Sequence, residues 1–226
     1  MNEDTRVAVC CYAGDAHQVI SNLDLYRHHE CPIVILSPED SQVTVFGVTS
    51  RFGGKRAYTG QDSVDRQRKH LEILLDFPEK YFLINDADSA CISPKLPDYL
   101  YAEPDFVWSM VARDDDPREY ADAGLPHVAF QPPYFLSRHT IEALLAAAGG
   151  VTMDPIWSNI DHYMVQLTVK AGLQWKGLQG ALGGHFSTNP EHLKTAIRAV
   201  QRDGFIFIHG AKTSEAWAAI TAAREF

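Results

Sequence analysis

The chain has 226 residues, 46% apolar and 22% charged, the ordinary balance of one globular α/β domain. No apolar stretch approaches the ~20 residues needed to cross a bilayer, and the polar, acidic start Met1-Asn2-Glu3-Asp4-Thr5 is no signal peptide. A formal charge of −9 counts against tight, sequence-independent binding to nucleic acid, although basic residues cluster between Arg51 and His70.

Arg6 to Tyr12 reads as a first strand, followed by the turn Ala13-Gly14-Asp15. Asp15 can cap a helix reaching about His29, with Val19, Ile20 and Leu23 on its inner face. Pro32 to Leu36 is a short all-apolar run, the pattern of a strand covered on both sides. Val43 to Val48 reads as a third strand, and the glycine-rich, basic segment Thr49 to Gly60 as a loop. Ser63 to Leu75 has the period of a helix, and Tyr81 to Asn85 that of a buried strand. The strand–helix alternation predicts an open sheet whose ligands bind beyond the carboxyl ends of the strands. The four cysteines (Cys10, Cys11, Cys31 and Cys91) lack zinc-type spacing and read as reduced core thiols of a cytoplasmic protein.

Further along, Phe106 to Val111 is another strand and Ala112 to Leu125 a surface loop. Val128 to Leu136 carries Pro132-Pro133, which predicts an edge or interrupted strand. Helices are expected over Thr140 to Ala148 and Asn159 to Ala171, and a strand over Gln174 to Leu178. Gln179 to Asn189 reads as a glycine-rich mobile loop able to close over a ligand, with His185 in it. A helix follows from Pro190 to about Arg202, then a strand over Phe205 to Ile208, and a closing helix capped by Ser214.

Chemistry concentrates at three strand or helix ends. Asp86-Ala87-Asp88 places two carboxylates two residues apart, just past the apolar run Tyr81 to Asn85. Hard divalent cations prefer such oxygen ligands and leave positions for substrate phosphates. His209-Gly210-Ala211-Lys212 follows another apolar run; its imidazole suits Mn²⁺ and its ammonium suits phosphate. Asp161, at a helix start, is a candidate base, with Asp154 a substitute; Ser158 three residues before it also fits a capping box. Arg66 can hold donor phosphates. Tyr12, Ala13 and Gly14 follow the first strand, where a nucleotide can rest against the backbone.

These residues resemble the GT-A glycosyltransferases. Asp86-Ala87-Asp88 matches their Asp-x-Asp motif, Ile160-Asp161 resembles their helix-start acidic pair, and His209 and Lys212 resemble their late metal and phosphate ligands. The resemblance implies a single Rossmann-like GT-A domain over 1–226, with a mixed, mostly parallel sheet. Its donor-binding half would span about 1–112 and its acceptor half about 113–226. It implies Mn²⁺ or Mg²⁺ held by Asp86, Asp88 and His209. The donor is a nucleotide-diphosphate sugar, a UDP-sugar first, contacted by Tyr12, Ala13, Gly14, Arg66, Asp86 and Lys212, with Asp161 as base. The stretches Gly60 to Gln67, Asn85 to Ser89 and Gln131 to Ser137 also look like small glycosyltransferases encoded by bacteriophages. That likeness implies a hydroxymethyl-pyrimidine of phage DNA as acceptor, with a protein or saccharide hydroxyl as alternative. A different class, the haloacid-dehalogenase-like phosphatases, also uses Asp-x-Asp after a strand, with Asp86 then the nucleophile.

Overall fold

The computed structural model describes residues 4–15, 31–57, 60–92, 96–113, 128–149, 160–183 and 207–224, with 18–20, 23, 26, 191, 193–195, 197 and 198 between them. Seven strands among these form one sheet: β1 (Thr5–Cys10), β2 (Ile33–Ser37), β3 (Thr49–Phe52), β4 (Tyr81–Asp86), β6 (Phe106–Arg113), β7 (Val128–Ser137) and β8 (Gln174–Gly177). Their order is β3-β2-β1-β4-β7-β6-β8. Strands β1 to β4 run parallel, β7 runs against both its neighbours, and β8 is parallel to β6. A mixed, mostly parallel sheet of GT-A type is the fold implied by the sequence, and it draws strands from both halves of the chain.

Apolar side chains alternate between two cores along each central strand, because successive strand residues point to opposite faces. Val7, Val9, Ile35 and Leu83 face one core; Ala8, Val34, Leu36, Phe82 and Ile84 face the other. Three helices fill the second core: α1 (Gly60–Leu74), α2 (Arg138–Ala148) and α3 (Ile160–Lys170), through residues such as Val64, Leu71, Ile141, Leu144, Met164 and Leu167. The first core is closed by Val19, Leu23 and Tyr26, by Trp217 and Ile220 of α4 (Ser214–Arg224), and by a second sheet. That sheet has the order β5-β10-β9, from β5 (Ser89–Cys91), β9 (Ala181–Gly183) and β10 (Phe207–His209).

Several expectations are corrected. Ile20 is 53% exposed, whereas Val19, Leu23 and Tyr26 are buried, so the inward stripe runs i, i+4, i+7 and leaves Ile20 outside. Val43 to Val48 is not a strand: it lacks a ladder partner, and Phe46 projects fully into solvent. The third strand lies instead in the expected loop, at Thr49–Phe52, on the sheet edge beside β2. Strand β7 is interrupted at its prolines, as one of the two expectations had it, but it lies in the sheet interior and not at an edge. The ladder steps from Ser109–Tyr134 to Met110–Gln131, so Pro132 and Pro133 fall in the register shift and need donate nothing. Part of the expected glycine-rich loop, Ala181–Gly183, is strand β9. Thr213 caps α4, its Oγ1 accepting from the Ala216 N–H at 3.1 Å, while Ser214 is the first helical residue.

Candidate active site

Asp86 is the last residue of β4 and Asp88 lies two residues on. The turn between them is closed by Ser89, whose hydroxyl accepts from the Asp86 N–H at 2.9 Å and donates to the Asp86 carbonyl at 3.2 Å. Ser89 opens β5, and β5 pairs antiparallel with β10, setting His209 opposite Ser89. The pairing extends one step further: the Gly210 and Ala211 N–H groups both donate to the Asp88 carbonyl, at 2.9 and 3.1 Å. Gly210 makes that turn at φ +105°, a backbone conformation open to glycine. Lys212 follows, its Nζ 3.7 Å from Asp88 Oδ2 and its side chain 58% exposed, so this ion pair adds little to stability. Gln18 holds the same segment from the other side, its amide donating to the Lys212 carbonyl at 2.9 Å.

A cleft of about 540 Å³ opens at this end of the parallel strands. Tyr12, Arg66, Asp86, Asp88, Asp161, His209 and Lys212 all line it. Ala13 and Gly14 do not: they are exposed in the short turn Ala13–Asp15, with the Ala13 N–H donating to Ser41 Oγ at 3.0 Å. Asp15, by contrast, lines the cleft and accepts from the Tyr12 N–H at 3.1 Å. The Tyr12 ring is not a bare platform. The Arg56 and Arg66 guanidinium carbons stand 5.2 and 5.0 Å from its centre, within cation–π range, and its hydroxyl donates to the Ala57 carbonyl at 3.0 Å. Arg66 also donates to the Ala57 carbonyl. Gly54 permits this packing. Its φ is +73°, and a Cβ there would lie 2.6 Å from the Arg66 Cα. The neighbouring basic residues are spent elsewhere: Arg68 and Lys69 pair with Glu72, and Arg51 stands 5.7 Å from the Phe77 ring centre.

Negative charge dominates the cleft. Burial pushes the Asp86 carboxyl up to about 8; the charges of Asp88 and Asp161 add to the rise, with Asp15 a smaller contributor, and Arg66 opposes it. Burial lowers the Arg66 pKa, while Asp86 supports its charge. The same forces keep the thiols protonated, Cys10 well above the usual thiol range and Cys11 up to about 12. Among the described residues no three His, Cys, Asp or Glu side chains stand close enough to cage a metal by themselves. Two carboxyl groups at a turn, one of them holding its proton because of its burial and its acidic neighbours, suit a hard octahedral cation that would displace that proton and take its remaining ligands from phosphate oxygens and water.

Sequence reasoning did not single out Gln18, Gln67, His70, Pro132 or Tyr134, all of which line the cleft. A signal existed for two of them. Ser63, Arg66, Gln67 and His70 recur at i, i+3, i+4 and i+7 of α1, a polar stripe at helical spacing, and all four are buried. Asp161 lies in the first turn of α3. Asp154, Ser158 and His185 fall outside the described residues.

A GT-A-type sheet with an acidic cleft beyond its parallel strands defines the class of fold. Among solved structures it is similar to an active-site mutant of LgtC, with a TM-score of 0.54 and 8% identity over 97% of this chain and 95% of that one. At that identity the likeness is one of fold. A Bacillus anthracis structure bound to sucrose, provisionally named a glucose-1-phosphate thymidylyltransferase, aligns over 98% and 96% of the two chains (TM-score 0.49, 7% identity). The Streptococcus pneumoniae glycosyltransferase GlyE aligns over 98% of this chain and 61% of its own length (TM-score 0.48, 10% identity). Neither of these two likenesses is close enough to carry an argument. No family model and no curated protein matches the sequence.

Proposed function

We propose that the protein is a metal-dependent glycosyltransferase that moves a sugar from a nucleotide-diphosphate donor to an acceptor hydroxyl. The observation that carries this reading is the convergence of Asp86, Asp88, Asp161, His209 and Lys212 on one cleft of a GT-A-type sheet. Asp86 and Asp88 would hold Mn²⁺ or Mg²⁺, with His209 beside them. When bound, the cation neutralises charge building on the departing diphosphate. Lys212 is near enough to Asp88, and exposed enough, to swing onto a phosphate oxygen. Arg66 balances Asp86 and is held in place by Tyr12 and Ala57. Asp161 takes the proton of the acceptor hydroxyl, whose oxygen bonds to the anomeric carbon as the bond to the diphosphate oxygen breaks.

The acceptor rests on the likeness to phage transferases. A hydroxymethyl-pyrimidine in DNA supplies the nucleophilic oxygen, reached by flipping the base out of the stack. Exposed Lys55 and Arg56 offer contacts to a DNA backbone beside the cleft. Incubation with labelled UDP-sugars, Mn²⁺ and hydroxymethyl-pyrimidine DNA tests both claims. Label in the DNA, abolished by EDTA, is the expected result. Label in protein or saccharide instead would overturn the acceptor. EDTA-resistant transfer would overturn the metal, and no turnover of any nucleotide-sugar would overturn the transferase.

A further inference from the structure

Beside the apolar residues Val64, Leu71, Ile73 and Leu74, the buried face of α1 carries a polar stripe, Ser63, Arg66, Gln67 and His70, where a helix packed on a sheet is normally apolar. Gln67 is 5% exposed, and among the described residues its amide nitrogen donates to the Met164 sulfur, at 3.8 Å. A thioether is a weak acceptor, so the donor side of this carboxamide is poorly satisfied. One turn along, His70 is 3% exposed; its ring interacts with the Gly53 backbone, and among the described residues its fully buried Nε2 lacks a partner at strict hydrogen-bond geometry. Its Nδ1 lies 3.7 Å from Cys10 Sγ. Burial, and then the Arg66 charge, hold the His70 pKa down to about 3 with the Gly53 backbone opposing, so the ring is neutral and can donate from one nitrogen and accept at the other. Both side chains line the cleft. Met164 lies one helical turn beyond Asp161 on α3, so the Gln67–Met164 contact brings Gln67 to the side of the cleft that carries the candidate base.

Resting on the transferase reading above, we infer that Gln67, packed one turn before the buried His70, binds a hydroxyl group of the donor sugar and sets which sugar epimer is accepted. Groups buried with poor partners cost free energy until a ligand satisfies them. A site built in that way rejects a sugar whose hydroxyl points elsewhere far more strongly than an apolar pocket would. The nucleotide and diphosphate contact other residues, so the effect is confined to the sugar.

The test is calorimetric titration of the Mn²⁺-loaded protein with UDP and GDP, each free and as two conjugates epimeric at one hydroxyl (UDP-glucose and UDP-galactose, GDP-glucose and GDP-mannose). In wild type one epimer should bind better than the other. Gln67→Met keeps the side-chain volume and an apolar contact with Met164. It should weaken the preferred conjugate about tenfold, bring the epimer ratio toward one, and leave the free diphosphate within about twofold. Gln67→Glu, which keeps an acceptor and loses the donors, gives the same reading should the methionine variant fold poorly. A wild-type ratio of one, or a ratio unmoved in both variants, overturns the inference while leaving the transferase reading standing. A wild type that binds none of the six ligands overturns both.

Discussion

Asp88 carries two separate duties, one on its side chain and one on its backbone. Its carbonyl accepts the Gly210 and Ala211 N–H groups, and its carboxylate faces Lys212. Substituting the side chain leaves the carbonyl in place, so Asp88→Ala should keep the late segment docked while removing a proposed metal ligand. The expected outcome is a loss of turnover on the order of 10³-fold with a melting temperature at or above wild type, because one member of a repelling acidic cluster is gone. Turnover assays with circular dichroism melts check it. Lys212→Ala should behave differently. The side chain is mostly exposed and its ion pair with Asp88 is long and solvent-screened, so the melting temperature should change little, while the donor KM rises roughly tenfold from the lost phosphate contact. A KM equal to wild type in steady-state kinetics would remove Lys212 from the donor site.

The site is assembled by a pairing between elements far apart in the chain, β5 against β10. The Asp-x-Asp turn and the apolar run before it were legible in the sequence, as was the polar tetrad His209 to Lys212. Their adjacency was not, because β5 and β10 are three residues each, too short for any period to show. The interior position of β7 was hidden for a related reason. Two prolines argue against a central strand unless the register steps around them, and that step appears only once β7 is paired with β6. Of the buried polar stripe of α1, Arg66 was legible as a candidate phosphate contact, whereas Gln67 and His70, uncharged at neutral pH, stood out only once the cleft beside them was seen. Packing on that helix also yields a prediction. An alanine at Gly54 would meet the Arg66 backbone and would sit at a positive φ. Gly54→Ala should therefore destabilise the protein by about 2–4 kcal/mol, through backbone strain and overpacking together. Because the clash falls on Arg66, donor affinity should drop in parallel. Denaturant titration and donor binding measured on the same variant check both.

At the scale of the whole molecule, two buried groups in the cleft couple folding stability to pH with opposite signs. The His70 pKa falls from 6.5 to about 3 on folding, so the unfolded chain holds the extra proton in that window and stability rises with pH between about 3 and 6.5. The Asp86 pKa climbs from 3.8 to about 8, so the folded chain holds the extra proton and stability falls with pH across that wider window. Between about 4 and 6.5 the two slopes cancel. From 6.5 to 8 the Asp86 slope stands alone, and metal-free protein should lose roughly 2 kcal/mol over that interval. Asp86→Asn removes the falling limb, leaving the His70 rise below 6.5 and a plateau above it, so the variant should be the more stable protein at pH 8 although it turns over no donor. On the proposed metal role, Mn²⁺ would compete with the Asp86 proton. Its stabilising effect on wild type should therefore grow from pH 6.5 to 8, and binding near pH 7 should release a proton, seen as a buffer-dependent enthalpy in calorimetry. A melting temperature that is flat from pH 6.5 to 8 in EDTA, and that Mn²⁺ raises equally at both ends, would show that Asp86 is already ionised in the free protein.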